Sequence, residues 1–313
     1  MVDPVQVVYV SGAPRSGTTL LSMALGQLPG SIEVGELWAL WGPAYRQGDA
    51  CGCGVPVPQC PFWLDVAGKA LGADFEQEGA AMGKLHADHL GTLKAPLVWA
   101  HVKGWARRSS YEAYADGLGR HYRAIAEVSG SPVVIDSSKM ASDALLASTI
   151  AGVELKVVHL VRDPRGVAWS WQKEMRQPGP AGRPFARRGP LASAARWDVH
   201  NLFAETLLAP RLGDRFRVLR YEDFLAEPVA VLDSLAAWVG SPPAHSPIAG
   251  DPPHLSLTRT RHPVWGNPLR TAAGAVPLRE DTAWKDGLGS GDRRTTTLAT
   301  LPLLLRHGYR VAP

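Results

Sequence analysis

Cysteine is scarce in this chain. Three are present in 313 residues, all between Cys51 and Cys60, too few for the bridged framework of a small secreted domain. No apolar run reaches the length needed to span a bilayer. The opening residues Met1-Val2-Asp3-Pro4 lack a basic stretch and an apolar leader core, so a soluble cytoplasmic protein is the expectation. There is no repeat, low-complexity tract or long linker, and residues 1–313 read as one domain. A strong charge imbalance is also missing: 33 Lys and Arg oppose 29 Asp and Glu, for a formal charge of +4 and a pI near 9.0. This mild excess suits a small polyanion; the arginines are scattered and no nucleic-acid motif accompanies them. Tryptophan, by contrast, is plentiful at eleven. Several flank the motifs below, where they can line an aromatic cavity or fill the core.

The most informative absence lies near the start. Val5 to Val10 reads as a buried parallel strand, and Leu20 to Leu25 as a helical stretch. Between them runs Ser11-Gly12-Ala13-Pro14-Arg15-Ser16-Gly17. A strand, a glycine turn and a helix start gather backbone N–H groups at the positive end of a helix dipole, which is an anion site. Gly12 and Gly17 keep the spacing of the nucleoside-triphosphate loop. Where that loop has Lys before Ser or Thr, this chain has Thr18 and Thr19. The missing Lys argues against ordinary ATP or GTP chemistry, and Arg15 is the loop's one fixed cation.

Further polar residues follow apolar runs. Ser31 to Gly35 reads as a short strand ending at Glu36, a candidate general base or a dipole-favoured helix start. Pro132 to Ser138 is a strand leading to Lys139, which can stabilise developing negative charge or pair with Asp136 or Asp143. Leu155 to Val161 runs into Arg162, and Pro164 suits a helix start. Ser170, eight residues beyond Arg162, can join it on one phosphate. Arg165 reads as a solvated helix residue. Phe216 to Phe224 reads as another core strand and a helix start, with Tyr221 within it, and His262 to Arg270 is poor in helix formers.

Elsewhere the expectations are coarser. Residues 64–128 read as a mainly helical insertion with a short strand near 97–102, contributing part of an acceptor pocket. His101 and Lys103 read as surface or satisfied core residues. Residues 177–190 form a Pro-, Gly- and Arg-rich loop able to order over substrate. Residues 191–208, 229–239 and 295–306 read as helices. The three cysteines fall one short of a structural zinc site; a histidine such as His86 or His89 could complete it, and no standard spacing selects one. A reduced packing loop is the expectation.

Pro14-Arg15-Ser16-Gly17-Thr18-Thr19, Gly35-Glu36, Lys139, the Arg162 to Ser170 pair and Arg220-Tyr221-Glu222-Asp223 resemble, in this order, the segments of sulfotransferases. These enzymes use 3′-phosphoadenosine 5′-phosphosulfate (PAPS). The likeness is to the bacterial type, nearest in its catalytic segments to protein-tyrosine sulfotransferases. It implies an α/β, three-layer, P-loop-like fold with a central parallel sheet of four or five strands. It implies that Arg15, Ser16, Gly17, Thr18 and Thr19 hold the 5′-phosphosulfate, that Arg162 and Ser170 hold the 3′-phosphate, and that Tyr221 contacts adenine. Gly266, Asn267 and Arg270 lie in a Gly-Asn-Pro-x-Arg stretch similar to a further cofactor loop. Glu36 would be the base, although Leu37 stands where the tyrosine-directed enzymes have a second Glu. Arg15 and Lys139 would stabilise the leaving group, with adenosine 3′,5′-bisphosphate as product and no metal required. The acceptor would carry a hydroxyl on a small molecule, glycan or lipid. The rival readings are a P-loop kinase or NTPase, and a catalytically silent nucleotide-binding module.

Overall fold

The computed structural model describes residues 4–176, 178, 182, 184–242 and 245–311. Its centre is a five-stranded sheet of β1 (Val5–Gly12), β2 (Ser31–Gly35), β3 (Val133–Lys139), β4 (Val153–Val161) and β5 (Phe216–Arg220). The order is β2-β3-β1-β4-β5, and every pair is parallel. Val8 of β1 sits between Ile135 of β3 and Lys156 of β4. The apolar runs make this arrangement favourable, because a central parallel strand is buried on both faces. Alternate residues divide between the faces. Val7, Tyr9, Val134, Leu155 and Val157 pack into one core cluster, and Val8, Val10, Ile135, Val158 and Leu160 into another.

The first core is roofed by the helices Pro61–Leu71, Phe75–His89, Ala95–Val102 and Ser109–Ser129; the second by α1 (Thr18–Gly26) and the helix Pro228–Val239. Three layers result. A small antiparallel sheet, β6 (Ile248–Ala249), β7 (His254–Leu257) and β8 (Gly274–Pro277), lies beside the second core. No helix among the described residues is long and apolar enough to cross a membrane.

Several local expectations change. The apolar run at 97–102 is helical, in Ala95–Val102, with Pro96 in its first turn and no partner strand. A short apolar run does not distinguish strand from buried helix by period alone. The C-terminal helix is two, Ser290–Ala299 and Leu301–Arg306, since Pro302 cannot continue the hydrogen-bond ladder. The helix expected over 191–208 is Pro190–Phe203, followed by a wider turn at Ala204–Leu208. Arg165 is not solvated. It is 2 % exposed, forks onto Asp163 at 2.7 and 2.9 Å, and donates to the carbonyls of Arg310 and Val311. It ties the C-terminal segment to the helix Pro164–Gln172. His101, half-buried, accepts from the Arg108 amide, and Lys103, exposed, lies over Trp99. Within the loop read at 177–190, residues 177, 179–181 and 183 lie outside the described residues.

One buried ion pair fixes the segment that becomes the site's far wall. Arg261 donates to Glu33 at 2.8 Å and to the carbonyls of Arg270 and Ala272 at 3.1 and 2.6 Å. Burial raises the Glu33 carboxyl above its ordinary range, opposed chiefly by Arg261. Removing the cation leaves a carboxylate without its counter-charge in the core. Arg261→Leu is expected to cost about 3–5 kcal/mol in urea denaturation, and Arg261→Leu with Glu33→Leu to recover much of it. A single-variant loss near zero would refute this role.

Candidate active site

Parallel strands all end on one edge, and each of the five delivers a side chain there. β1 leads to Arg15, β2 to Glu36, β3 ends on Lys139, β4 leads to Arg162 and β5 to Tyr221. These residues line a cleft of about 390 Å³. It opens where β1 lies between β3 and β4, the switch point at which open α/β sheets bind ligands.

The turn after β1 is an anion cradle. Gly17 caps α1 in the left-handed region at φ 92°, and no side chain caps the helix. The first-turn amides are therefore left for a ligand. A Cβ at Gly17 would strike the Tyr221 ring. Ser16 is wholly buried and is not on the cleft lining; its hydroxyl, beneath the turn, has no hydrogen-bond partner among the described residues. Thr18 and Thr19 line the cleft. Arg15 adopts φ 75° and lays its guanidinium over Trp171 and Phe185 at 5.0 and 5.2 Å, with Nη1 on the Met175 sulfur. Burial lowers its pKa, Glu36 opposes the shift, and the group remains a cation at neutral pH.

Glu36 and Lys139 form a nearly buried ion pair across the cleft. Trp38 Nε1 donates to the other Glu36 oxygen at 3.1 Å. The two alternative acids are occupied elsewhere. Asp136 accepts from Tyr122 at 2.7 Å and from the Ser138 amide at 2.9 Å, and Asp143 pairs with His86 at 2.9 Å. Burial raises the Asp136 pKa to about 6.

Arg162 donates to the Arg15 carbonyl at 3.1 Å, pairs with Asp281 at 3.2 Å and lies over the Tyr221 ring at 4.7 Å. Burial pushes the Asp281 carboxyl up, but Arg162 and Lys173 outweigh it and hold the group below its ordinary range. Ser170 shares the lining with Arg162, two turns along the helix Pro164–Gln172. From the opposite side come Trp265, Gly266 and Asn267. Gly266, at φ 91°, faces Glu36 so closely that a Cβ would meet the carboxylate. Arg270 is not on the lining. Its guanidinium is buried and donates to the Ala50 carbonyl at 2.9 Å.

Sequence reasoning missed part of the lining: Trp38, Trp171, Met175, Phe185, Arg196 and Asp281. Arg196 adds a fourth cation, lowered in pKa by burial and by Arg188. Its neighbour Trp197 is core, and no spacing marks Arg196 as the inward member of the two. No described residue of 64–128 lines the cleft.

No protein-family model and no curated protein matches this chain. Solved structures do. The sulfotransferase domain of the Synechococcus PCC 7002 olefin synthase superposes with a TM-score of 0.54 at 19% identity, over 99% of this chain and 97% of that one. The sulfotransferase domain of the curacin biosynthetic pathway gives 0.48 at 16%, over 99% of each chain. Sulfotransferase STF9 of Mycobacterium avium gives 0.47 at 15%, over 99% of this chain and 79% of its own. The first of these carries the assignment: the chain has the sulfotransferase fold.

The cradle depends on Gly17. Gly17→Ala adds a methyl against Tyr221 in backbone that L residues avoid, so it is expected to cost roughly 1–3 kcal/mol. Thermal unfolding measures the cost. An unchanged melting temperature would show that the turn adapts freely.

Proposed function

We propose that the chain transfers a sulfuryl group from PAPS to a hydroxyl acceptor. One observation carries this reading: the strand ends bring Arg15, Lys139, Arg162 and the Glu36 carboxylate together around a helix N-terminus, with Arg196 and Asp281 beside them on the same lining. The cradle fits an anion. Its buried Ser16 hydroxyl is without a partner and its helix is uncapped by any side chain. When bound, PAPS supplies an activated sulfuryl group on a phosphate leaving group.

Thr18, Thr19, the Ser16 hydroxyl and the first amides of α1 hold the 5′ end of the nucleotide. Arg162 and Ser170 hold the 3′-phosphate, which selects this nucleotide over ATP; Tyr221 flanks the base. Glu36 takes the acceptor's proton as the acceptor oxygen attacks sulfur. Lys139 and Arg15 stabilise charge on the departing oxygen, so the positive charge comes from the protein itself. Before reaction the ion pair with Lys139 holds the Glu36 carboxylate in place at the cleft. The aromatic residues Trp38 and Trp265 beside Glu36 favour an acceptor with an apolar or aromatic body. PAPS is an intracellular metabolite, in keeping with a cytoplasmic chain.

Calorimetric titration with adenosine 3′,5′-bisphosphate is the test. Binding is expected, weakened about tenfold or more by Arg162→Ala, consistent with loss of a charge-assisted hydrogen bond. ATP with magnesium is expected not to match it. Preference for ATP, or binding of neither, would overturn the proposal. With an acceptor in hand, Glu36→Gln is expected to lower turnover by about 100-fold or more while bisphosphate binding persists. Near-normal turnover would remove Glu36 as base and, with bisphosphate bound, leave the cofactor assignment standing. Bisphosphate binding without transfer to any acceptor would leave a silent module.

A further inference from the structure

Away from the strand ends, the loop at 51–60 meets the loop at 262–267. Three cysteines and a histidine gather there, Cys51, Cys53, Cys60 and His262, with all four donor atoms within 4.8 Å of one another. None of the cysteines is in a disulfide. Neither histidine weighed from sequence belongs to the cluster: His86 is held by Asp143 and stacks on Trp38, and His89 lies beside Tyr111.

Four of the six donor–donor distances match the edges of a tetrahedron, and all six lie within 4.8 Å. Cys51 to Cys60 and Cys53 to Cys60 are each 3.7 Å between sulfurs. His262 Nδ1 is 3.6 Å from the Cys51 sulfur and 3.5 Å from that of Cys60. Zinc–sulfur and zinc–nitrogen bonds of ordinary length, set at tetrahedral angles, give edges of about 3.75 Å between sulfurs and about 3.5 Å from sulfur to nitrogen. Any one of these distances is ordinary for packed thiols; the gathering of all four donor atoms within 4.8 Å of one another is what points to an ion.

The surroundings hold the donors in place. The Phe62 ring stacks on His262 at 4.3 Å, and Trp63 Nε1 donates to the His262 carbonyl at 3.1 Å. The Gly52 amide donates to the Pro263 carbonyl at 3.0 Å, and the Cys51 amide to Val55 at 2.8 Å. Arg270, in the turn Pro268–Thr271 that follows the second loop, reaches the Ala50 carbonyl.

We infer that Cys51, Cys53, Cys60 and His262 bind a zinc ion. Soft thiolates with one imidazole, at tetrahedral spacing, select a thiophilic d¹⁰ cation over magnesium or calcium. Four protein ligands close the coordination sphere, so the ion is structural. Its place says what it steadies. Two residues after His262, the Val264 carbonyl accepts from the Glu36 amide and the Val264 amide donates to Val34, each at 3.0 Å. Gly266 then faces the Glu36 carboxylate. The ion joins the cysteine loop to the segment that walls the cleft at Glu36. The zinc site stands whether or not the cleft transfers sulfuryl groups, because its ligands are separate from the cleft lining.

The test uses the full chain purified in zinc-containing medium, followed by extensive dialysis and elemental analysis. Zinc at one equivalent per chain is expected. Cobalt(II) replacing it should give the intense visible bands and near-ultraviolet thiolate charge transfer of a tetrahedral sulfur-rich site. Cys53→Ser, which alters the exposed ligand, is expected to lose most of the metal. His262→Cys should retain it with a red-shifted cobalt spectrum, showing that loss reflects ligation and not misfolding. A native chain without metal whose three thiols all titrate as free, a chain with a disulfide among them, or zinc retained undiminished in a Cys53→Ser, Cys60→Ser chain would each overturn the inference.

Discussion

Five parallel strands impose one geometric constraint from which the rest follows: their carboxyl ends share an edge. Residues as far apart in sequence as Arg15 and Tyr221 become neighbours because each stands just beyond a strand. The sheet needs apolar cover on both faces, and the alternation of β1 between two core clusters supplies it. With the faces sealed by helices, the strand ends are left for polar side chains. A cleft at the switch point between β3, β1 and β4 is then a consequence of topology.

The backbone at this edge is under strain. Among the described residues, the non-glycine residues in the left-handed region are Arg15, Lys139 and Trp265, and all three line the cleft. Such conformations cost about 1–3 kcal/mol each and persist where surrounding contacts over-determine them. Here those contacts are visible. Arg15 is held by its carbonyl bond from Arg162, Lys139 by Glu36, and Trp265 by the strand-like pairing of Val264 beside β2. The strain turns two cations and one aromatic wall inward, where unstrained continuation of the chain would carry them away.

Glu36 joins two halves of the site. Its side chain meets Lys139 and Trp38, and its amide meets Val264. The segment carrying Val264 is in turn fixed by Arg261 on Glu33 and, as we infer, by zinc at His262. The proposed proton acceptor is therefore positioned by β3 on one side and by a loop more than two hundred residues later on the other. Neither anchoring device touches the cleft itself.

Some of this was legible in the residues. Strands announced themselves as short apolar runs, and the polar residues ending them were the candidates Arg15, Glu36, Lys139, Arg162 and Tyr221, because a residue just past a buried strand is placed by local chain geometry. The glycine turn before α1 was legible for the same reason. What depended on distant approach was not. Arg270 sits in a suggestive motif yet turns away to Ala50; Arg165 looks like a surface residue yet clamps the C-terminal segment. Arg196 enters the cleft without any spacing signal. The partner of three clustered cysteines proved to be His262, since ligand geometry is satisfied in space and leaves no trace in spacing across two hundred residues. The sequence by itself determined a parallel α/β sheet with an anion turn and charged strand ends, because hydrophobic period and glycine chemistry act locally. Tertiary structure alone decided which cations share the cleft, what Lys139 pairs with and where the fourth ligand comes from, because each is a contact between segments joined only by folding.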